Sequence, residues 1–154
     1  MIERTFNTES IKAPALWETI SEDGHDRESW EPDTNDGWLL SSDDDGQIIG
    51  AWCAERVNAI TLQIHPMILP SMRGVKAHQS AREFFLWVYD NTDAQKVICS
   101  IPYLYRNVKL FAMQCGMVKE GINRSSFLKN GIIHHQWLLG ITRDEIKERF
   151  KCPQ

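Results

Sequence analysis

The stretch that decides the fold spans residues 57–102 and reads VNAITLQIHPMILPSMRGVKAHQSAREFFLWVYDNTDAQKVICSIP. Its first part, Val57–His65, alternates apolar and polar side chains, which predicts a strand. Pro66 and Pro70 are expected to end that strand, because proline cannot donate to a strand ladder. After a turn-rich loop, a helix is predicted over Ala77–Asn91. The apolar side chains that recur there at helical spacing are Ala81, Phe84, Phe85 and Val88.

A further strand is predicted over Lys96–Ile101, and Pro102 is expected to stop it. A continuous apolar run of this length is typical of a parallel strand buried on both faces. The strand, helix and strand should therefore form a parallel crossover, which in proteins is almost always right-handed.

The flanking segments add mostly antiparallel elements. The Asp-Gly pair at 45–46 predicts a hairpin, and Thr142 with Glu145 predicts a capping box. The remaining strands are predicted over residues 1–6, 38–41, 47–54, 117–122 and 132–141, and the remaining helices from Thr8 or Ser10 to Ile20, over 105–115 and over 143–150. The fold class is thus an α/β (α+β) sandwich, in which a mixed, mostly antiparallel twisted sheet of about six to seven strands surrounds the crossover.

Length and composition narrow the class of protein. The chain has 154 residues, the size of one domain, so residues 1–154 are expected to form a single domain. No apolar run approaches the roughly 18 residues of a membrane span, and the first residues lack a signal-peptide pattern. We therefore expect a cytoplasmic protein that has no membrane partner. The four cysteines match no zinc or redox spacing and are expected to be reduced and mostly buried.

Charge is divided unevenly along the chain. Residues 1–45 contain three basic and thirteen acidic side chains, whereas residues 46–154 contain fourteen basic and eight acidic ones. The acidic part suits a cationic amine or a basic protein face, and the basic part suits phosphates. The triplet Asp43–Asp45 is also consistent with a solvated hairpin turn. Nucleic-acid binding is not favoured, because no strong basic patch is interleaved with aromatic residues.

Three groups of residues, taken in order, carry a resemblance to a known family. The first is Ile64-His65-Pro66, then Arg73-Gly74 and Ala81; the second is Ile101-Pro102, Phe111-Ala112, Cys115-Gly116-Met117 and Glu120-Gly121; the third is Phe127–Gly131 with the strand after it. Over about residues 37–145 this pattern resembles the GNAT superfamily of N-acetyltransferases, especially its phage and bacterial small-protein branch. The resemblance implies acetyl-CoA as co-substrate and no metal.

The resemblance also places the coenzyme. The fourth and fifth strands would splay apart, and the pantetheine arm would pair with the main chain of Gln63, Ile64 and His65. The diphosphate would lie at the start of the long helix, where unpaired N–H groups and the helix dipole favour anions. The residues at that position are Arg73, Gly74, Val75, Lys76, Ala77 and His78.

The chain departs from the family pattern at four positions. The two glycines expected in the diphosphate loop fall on Lys76 and His78, and the usual asparagine falls on Tyr105. The tyrosine that often protonates the departing thiolate falls on Ala112. We expect Tyr105, or else Tyr103, to take over this role of general acid.

Two titratable residues are candidates to accept the proton of the amine. Histidine suits proton transfer near neutral pH, and His65 ends the predicted strand; packing before Pro66 is the alternative interpretation. Glu55, at the end of the preceding predicted strand, is the second candidate, with a solvated turn as its alternative. His134 and His135 are adjacent on a strand and point to opposite faces, so a shared metal ion is not expected.

These features predict an N-acetyltransferase that transfers the acetyl group of acetyl-CoA directly to an amine of a protein or a small polyamine. Trp30, Trp38 and Trp52 would help to shape the acceptor channel, and the apolar edges of the closing hairpin suggest a homodimer. One alternative is a catalytically inactive binding or assembly protein of the same fold, located in a virion if phage-encoded. Another is a protein that binds coenzyme A without turnover.

Overall fold

The computed structural model describes residues 1–4, 17, 23–24, 26–31, 33 and 35–152. Of the helix predicted up to Ile20, only Trp17 is among the described residues, and the rest of that prediction lies outside them. Within the described part of the chain, no helix is both long enough and apolar enough to cross a membrane.

Seven strands form one sheet in the order β1-β2-β3-β4-β5-β7-β6. Neighbouring strands are antiparallel except for β4 and β5, which are parallel. This arrangement confirms the predicted mixed, mostly antiparallel sheet. The strands are β1 (Ile2–Arg4), β2 (Gly37–Ser42), β3 (Ile48–Asn58), β4 (Thr61–Ile68), β5 (Lys96–Pro102), β6 (Val118–Lys129) and β7 (Ile132–Thr142).

Within residues 35–152, three α-helices accompany the sheet: α1 (Val75–Asn91), α2 (Arg106–Gln114) and α3 (Arg143–Ile146). A short 3-10 turn at Pro70–Met72 precedes α1, and a π-helical turn at Lys147–Lys151 continues α3. The connection β4-α1-β5 is the parallel crossover that the apolar spacing predicts. The helix begins two residues earlier than the expected Ala77, because Gly74 adopts a φ of 86° and so turns the chain into the helix.

The boundary between β3 and β4 differs from the prediction. We expected one strand over 57–65, but β3 runs on to Asn58, and the chain turns at Ala59–Ile60 before β4 begins. The alternation of side chains persists through the turn, so the sequence pattern alone does not reveal it.

Pro66 also lies inside β4 rather than ending it, opposite Trp52 of β3. Proline cannot donate a backbone hydrogen bond and is tolerated where a strand lacks a neighbour on one side. The pairing of β4 with β5 has already stopped at Gln63, so β4 is an edge strand at Pro66.

The two faces of the sheet bury different residues. On one face, α1, α2 and the chain's last turn cover a core of strand and helix side chains; its largest fully buried members include Trp52, Phe84, Phe85, Leu39, Leu139, Ile141 and Ile146. On the other face, a smaller cluster consists of Trp38, Ala51, Cys53 and Met67, with Trp30, Leu40 and Leu69 packed against it. The candidate site residues on β3 and β4 that are described below lie next to this smaller cluster.

The C-terminal end confirms one prediction and changes two others. Thr142 and Glu145 form the predicted capping box at α3. The strand predicted over 117–122 is longer, because β6 continues to Lys129 through two irregularities in its pairing with β7. The helix predicted over 143–150 is α-helical only as far as Ile146.

Candidate active site

The sheet splits between β4 and β5. The two strands pair at only three positions: Thr61 with Lys96, Leu62 with Val97 and Gln63 with Ile98. Beyond this point β4 stays paired with β3 as far as Ile68, and β5 stays paired with β7 as far as Pro102. The backbone of Ile64–Ile68 therefore faces the split without a strand partner on that side. Such an edge can accept an extended ligand as an added strand.

The start of α1 lies just after β4 ends, and its first amides are open in the sense that no described residue accepts a hydrogen bond from them. Gly74 is the N-cap, no side chain caps the helix, and the first turn contains no acidic residue. The N–H of His78 is the first to bond within the helix, donating to the carbonyl of Gly74 over 3.1 Å. The N–H groups of Val75, Lys76 and Ala77 have no intrahelical acceptor, as at any helix start. These donors and the helix dipole favour an anion there.

Two basic side chains belong to this segment. Arg73 is exposed, and no described residue forms an ion pair with it. Lys76 instead directs its Nζ to Oδ2 of Asp43, 2.5 Å away. Asp43 is therefore more than part of a solvated turn: its side chain is only 8% exposed, whereas Asp44 and Asp45 are exposed as predicted. The hydrogen bond from Lys76 holds the pKa of Asp43 below its ordinary value.

His65 lies on β4 at the split, beside a carboxylate. Its Nε2 is 3.8 Å from Oε2 of Glu55 and 3.4 Å from Nε2 of Gln63. Glu55 lies within β3, opposite Gln63, rather than at the strand's end as expected. Both side chains of the His65–Glu55 pair are about half exposed, at 48% and 52%. An amide N–H from Gln63 suits an unprotonated imidazole nitrogen, whereas Glu55 stabilises the imidazolium that forms after it takes a proton.

Asp36 is a nearby acidic group that the sequence reasoning missed. The thiol of Cys53, which lies opposite His65 in the β3–β4 register, donates to Oδ2 of Asp36 over 3.7 Å. Burial, followed by the charges of Asp33 and Glu55, raises the pKa of Asp36. Burial also raises the pKa of Cys53 strongly, so this thiol is not a nucleophile. The only signal in the sequence is the acidic character of residues 1–45.

The candidate acids lie at the same edge of the sheet, after β5. Tyr105 is the N-cap of α2, is partly buried, and its ring lies 6.3 Å from that of Phe127. Burial raises the pKa of Tyr105, which keeps the phenol protonated and able to donate. Tyr103 stacks on Trp137, with ring centroids 4.3 Å apart. Among the described residues, His65 contacts neither tyrosine.

Ala112 and His78 face the interface between α1 and α2. Ala112 is buried in the core, so the position to which the sequence resemblance assigned an acid holds a packed methyl group. His78 packs against Phe111, with ring centroids 4.9 Å apart, and its Nδ1 lies 3.6 Å from Cys115 Sγ. Since its N–H is also bonded to Gly74, His78 is not among the open donors.

Two further predictions concern aromatic and histidine residues. Trp52 does not contribute to an acceptor channel, because it points to the α1 face, stacks on Phe84 and donates to Ser80 Oγ over 2.8 Å. Trp38 is on the other face, where Trp30 packs against it at 5.8 Å. His135 accepts from the N–H of Ser125. No group of three or more His, Cys, Asp or Glu side chains among the described residues could hold a metal ion.

The fold that these elements build is GNAT-like, as structural comparison shows. A mutant form of the spermidine N-acetyltransferase SpeG from Vibrio cholerae superposes with a TM-score of 0.81 at 13% identity, covering 97% of this chain and 98% of that one. A chimera of that enzyme with hSSAT gives 0.79 at 13% identity, covering 95% and 98%. The spermidine/spermine N-acetyltransferase SpeG from Vibrio cholerae in complex with manganese ions gives 0.68 at 17% identity, covering 76% and 71%.

Sequence comparison then supplies the family. The chain belongs to the family described as "Protein of unknown function (DUF2824)", whose model matches residues 19–152. A search of curated proteins finds no significant match. The match by family model spans both the open helix start and the split in the sheet.

Proposed function

We propose that this protein is an N-acetyltransferase that transfers an acetyl group from acetyl-CoA to an amine in the cytoplasm. The observation that carries the proposal is the split between β4 and β5, which opens beside the uncapped start of α1. A thioester on a pantetheine arm needs an extended groove that ends at an anion site. These two features supply both parts at adjoining positions in the chain.

The coenzyme would be held mainly by backbone groups. The main chain of Ile64 and His65 would pair with the pantetheine arm, since Gln63 of the predicted set already pairs with Ile98 of β5. The amides from Val75 to Ala77 would receive the diphosphate. Arg73 adds a positive charge that has no carboxylate partner among the described residues. Backbone donors along the split would also stabilise the negative charge that develops on the thioester oxygen.

The transfer would take place by direct attack. The neutral amine forms a bond to the carbonyl carbon, the carbon–sulfur bond breaks, and His65 takes the proton that the amine loses. Glu55 stabilises the resulting imidazolium from 3.8 Å. Tyr105 donates its proton to the departing thiolate. His65 then releases the amine's proton to solvent and Tyr105 takes one up from solvent, which restores both residues.

A polyamine is the acceptor that the charges favour. The charges of Asp33 and Glu55 raise the pKa of the partly buried Asp36, so these three carboxylates lie close together and would place negative charge on the acceptor side. A cation with several amines would be attracted there. Structures similar in fold are spermidine N-acetyltransferases by name, which agrees with this choice.

The test measures binding and turnover separately. Calorimetry should detect the binding of coenzyme A to the protein. Mass spectrometry should detect the acetylation of spermidine or of another amine from a panel. His65→Ala should lower kcat by roughly a hundredfold or more, as expected for loss of a general base. His134→Ala, a matched histidine change on β7, should leave turnover unchanged. Absence of coenzyme binding by the wild type would rule out this function.

A coenzyme-binding protein without turnover is the second candidate. The observation that favours it is the buried Ala112, which stands where GNAT acetyltransferases often have the tyrosine that acts as general acid. Binding of coenzyme A with no acetylation of any amine would support it. If His65→Ala and Tyr105→Phe both retained full turnover, the assignment of the base and the acid would be wrong while the acetyltransferase activity stood.

The closing hairpin supports the predicted homodimer. Val118 and Ile122 of β6 and Ile132 and Ile133 of β7 expose between 45% and 65% of their surface. Exposed apolar side chains on an edge strand and its neighbour are typical of an interface. Sedimentation should give twice the 17.8 kDa mass of the chain, and a monomer at all concentrations would exclude this arrangement.

A further inference from the structure

Asp43 is the one charged side chain that is buried among the described residues. It lies in the turn between β2 and β3, and its Oδ1 accepts the N–H groups of Asp45 and Gln47 over 3.1 and 2.8 Å. Its Oδ2 accepts from Lys76 Nζ over 2.5 Å. The two backbone bonds fix the position of the carboxylate, so the flexible lysine is the partner that is held in place.

Lys76 lies where a long side chain could block the start of α1. It is the second residue of α1, within the turn whose open amides would bind the diphosphate. The pattern of the GNAT superfamily places a glycine at this position, and a glycine lets the diphosphate come close to the backbone. A lysine brings a four-carbon stem with about 2 kcal/mol of rotamer entropy, and an unrestrained stem can cover the amides beside it.

We propose that Asp43 is a positioning residue that draws the Lys76 side chain against the β2–β3 turn and so keeps the start of α1 open for the diphosphate. The inference rests on the proposed function, since it concerns the same coenzyme site. It explains how a chain that lacks the family's glycine retains an accessible helix start. The ion pair also cancels the charge of Lys76, which leaves the open amides and Arg73 as the attraction for the anion.

The alternative role for Lys76 is that of a direct phosphate ligand. The two roles predict opposite effects for the same substitutions. If Lys76 bound phosphate, Asp43 would compete for it, and removing the carboxylate would strengthen coenzyme binding. If Asp43 instead holds the Lys76 side chain away from the start of α1, removing the carboxylate weakens coenzyme binding. Removing the lysine side chain as well then restores coenzyme binding.

The test is a double-mutant cycle with Asp43→Asn, Lys76→Ala and the double variant. Asparagine keeps an oxygen for the two turn amides and loses the charge that holds Lys76. Calorimetry with coenzyme A should show a dissociation constant about tenfold weaker for Asp43→Asn. In the Lys76→Ala background, which keeps the backbone amide of residue 76, Asp43→Asn should change the dissociation constant by no more than about twofold. Recovery in the double variant is the readout that a purely structural role would not produce.

Two controls make the outcome specific. Dephospho-CoA retains the diphosphate, so Asp43→Asn should weaken its binding as much as that of coenzyme A. If Asp43→Asn weakened the binding of coenzyme A alone, the 3′-phosphate would be involved, and the proposal would be overturned. Thermal unfolding without ligand separates a loss of folding from a loss of binding. Tighter binding by Asp43→Asn, or an unrestored double variant, would also overturn it while the acetyltransferase proposal stood. Failure of the wild type to bind coenzyme A would overturn both.

Discussion

Two helix starts in this molecule are built in opposite ways. At α3, Thr142 accepts the N–H of Glu145 over 3.3 Å, and the Glu145 carboxylate accepts the N–H of Thr142 over 2.8 Å. Asp144 and Glu145 add negative charge to that first turn. At α1, Gly74 offers no side chain, and no acidic residue lies in the first turn. One terminus is satisfied by its own residues, and the other is left open.

The contrast bears on function because the longer helix has the open start. A helix start with glycine at the N-cap loses only about a few tenths of a kcal/mol relative to one capped by serine or threonine. The 17-residue α1 can tolerate this loss, since its buried face includes Phe84, Phe85 and Val88. The short α3 has only Ile146 buried and depends more on its cap. The molecule therefore leaves amides free where an extended ligand could reach them from the split in the sheet.

The largest effect is expected when the open start is given an acidic group. Val75 is the first residue of α1 and is 83% exposed, so Val75→Glu can be accommodated without repacking. The new carboxylate should stabilise the helix by up to about 0.5 kcal/mol through the dipole. It should also weaken coenzyme A binding by at least about tenfold, because like charges then face each other.

Calorimetry and thermal unfolding measure these two opposite changes in one protein. Val75→Gln is the matched control and should alter neither quantity appreciably. Coenzyme binding that is insensitive to the glutamate would show that the diphosphate does not lie at the start of α1.

A smaller effect, on stability alone, is expected when the closed start is opened. Thr142→Ala removes the acceptor for the Glu145 N–H and should lower the free energy of unfolding by about 1 kcal/mol. Urea titration measures this loss, and Thr142→Ser, which keeps the hydroxyl, should retain most of the stability. Coenzyme affinity should not change in either variant. A change in affinity would mean that the two helix starts are coupled.

The smallest effect concerns pH. The backbone N–H of Thr142, followed by its hydroxyl, lowers the pKa of Glu145 below its ordinary 4.5. A carboxylate whose pKa is lower in the folded than in the unfolded state stabilises the fold at pH values above its unfolded-state pKa. This contribution is lost as the pH falls through the folded-state pKa. Wild type should therefore be slightly more stable than Glu145→Gln at pH 7, with the difference disappearing in acid. A difference that persists at pH 2 would contradict this account.

Several elements follow from the sequence because their signals are local. The capping box needs only Thr142 and Glu145 at their spacing, and the face of α1 needs only the recurrence of its apolar residues. The parallel crossover follows from two strands joined by one helix. The candidates His65 and Glu55 were also recognised from their position near strand ends, and the structure brings them within 3.8 Å.

Other features depend on neighbours that are distant in sequence. Asp43 is 33 residues from Lys76, and nothing local indicates that one triplet member is buried while the other two are exposed. The pKa of Asp36 is raised first by burial and then by the charges of Asp33 and Glu55, and Glu55 is distant in the sequence. Pro66 is accommodated within β4 because β5 has already separated from that strand.

The sequence by itself determined the class of fold and the position of the crossover. Periodicity and turn chemistry act over a few residues, so they can be recognised without a structure. Only the tertiary structure decided where β4 and β5 separate and which carboxylate holds Lys76. Those outcomes depend on the packing of segments far apart in the chain, whose register and burial no local pattern specifies.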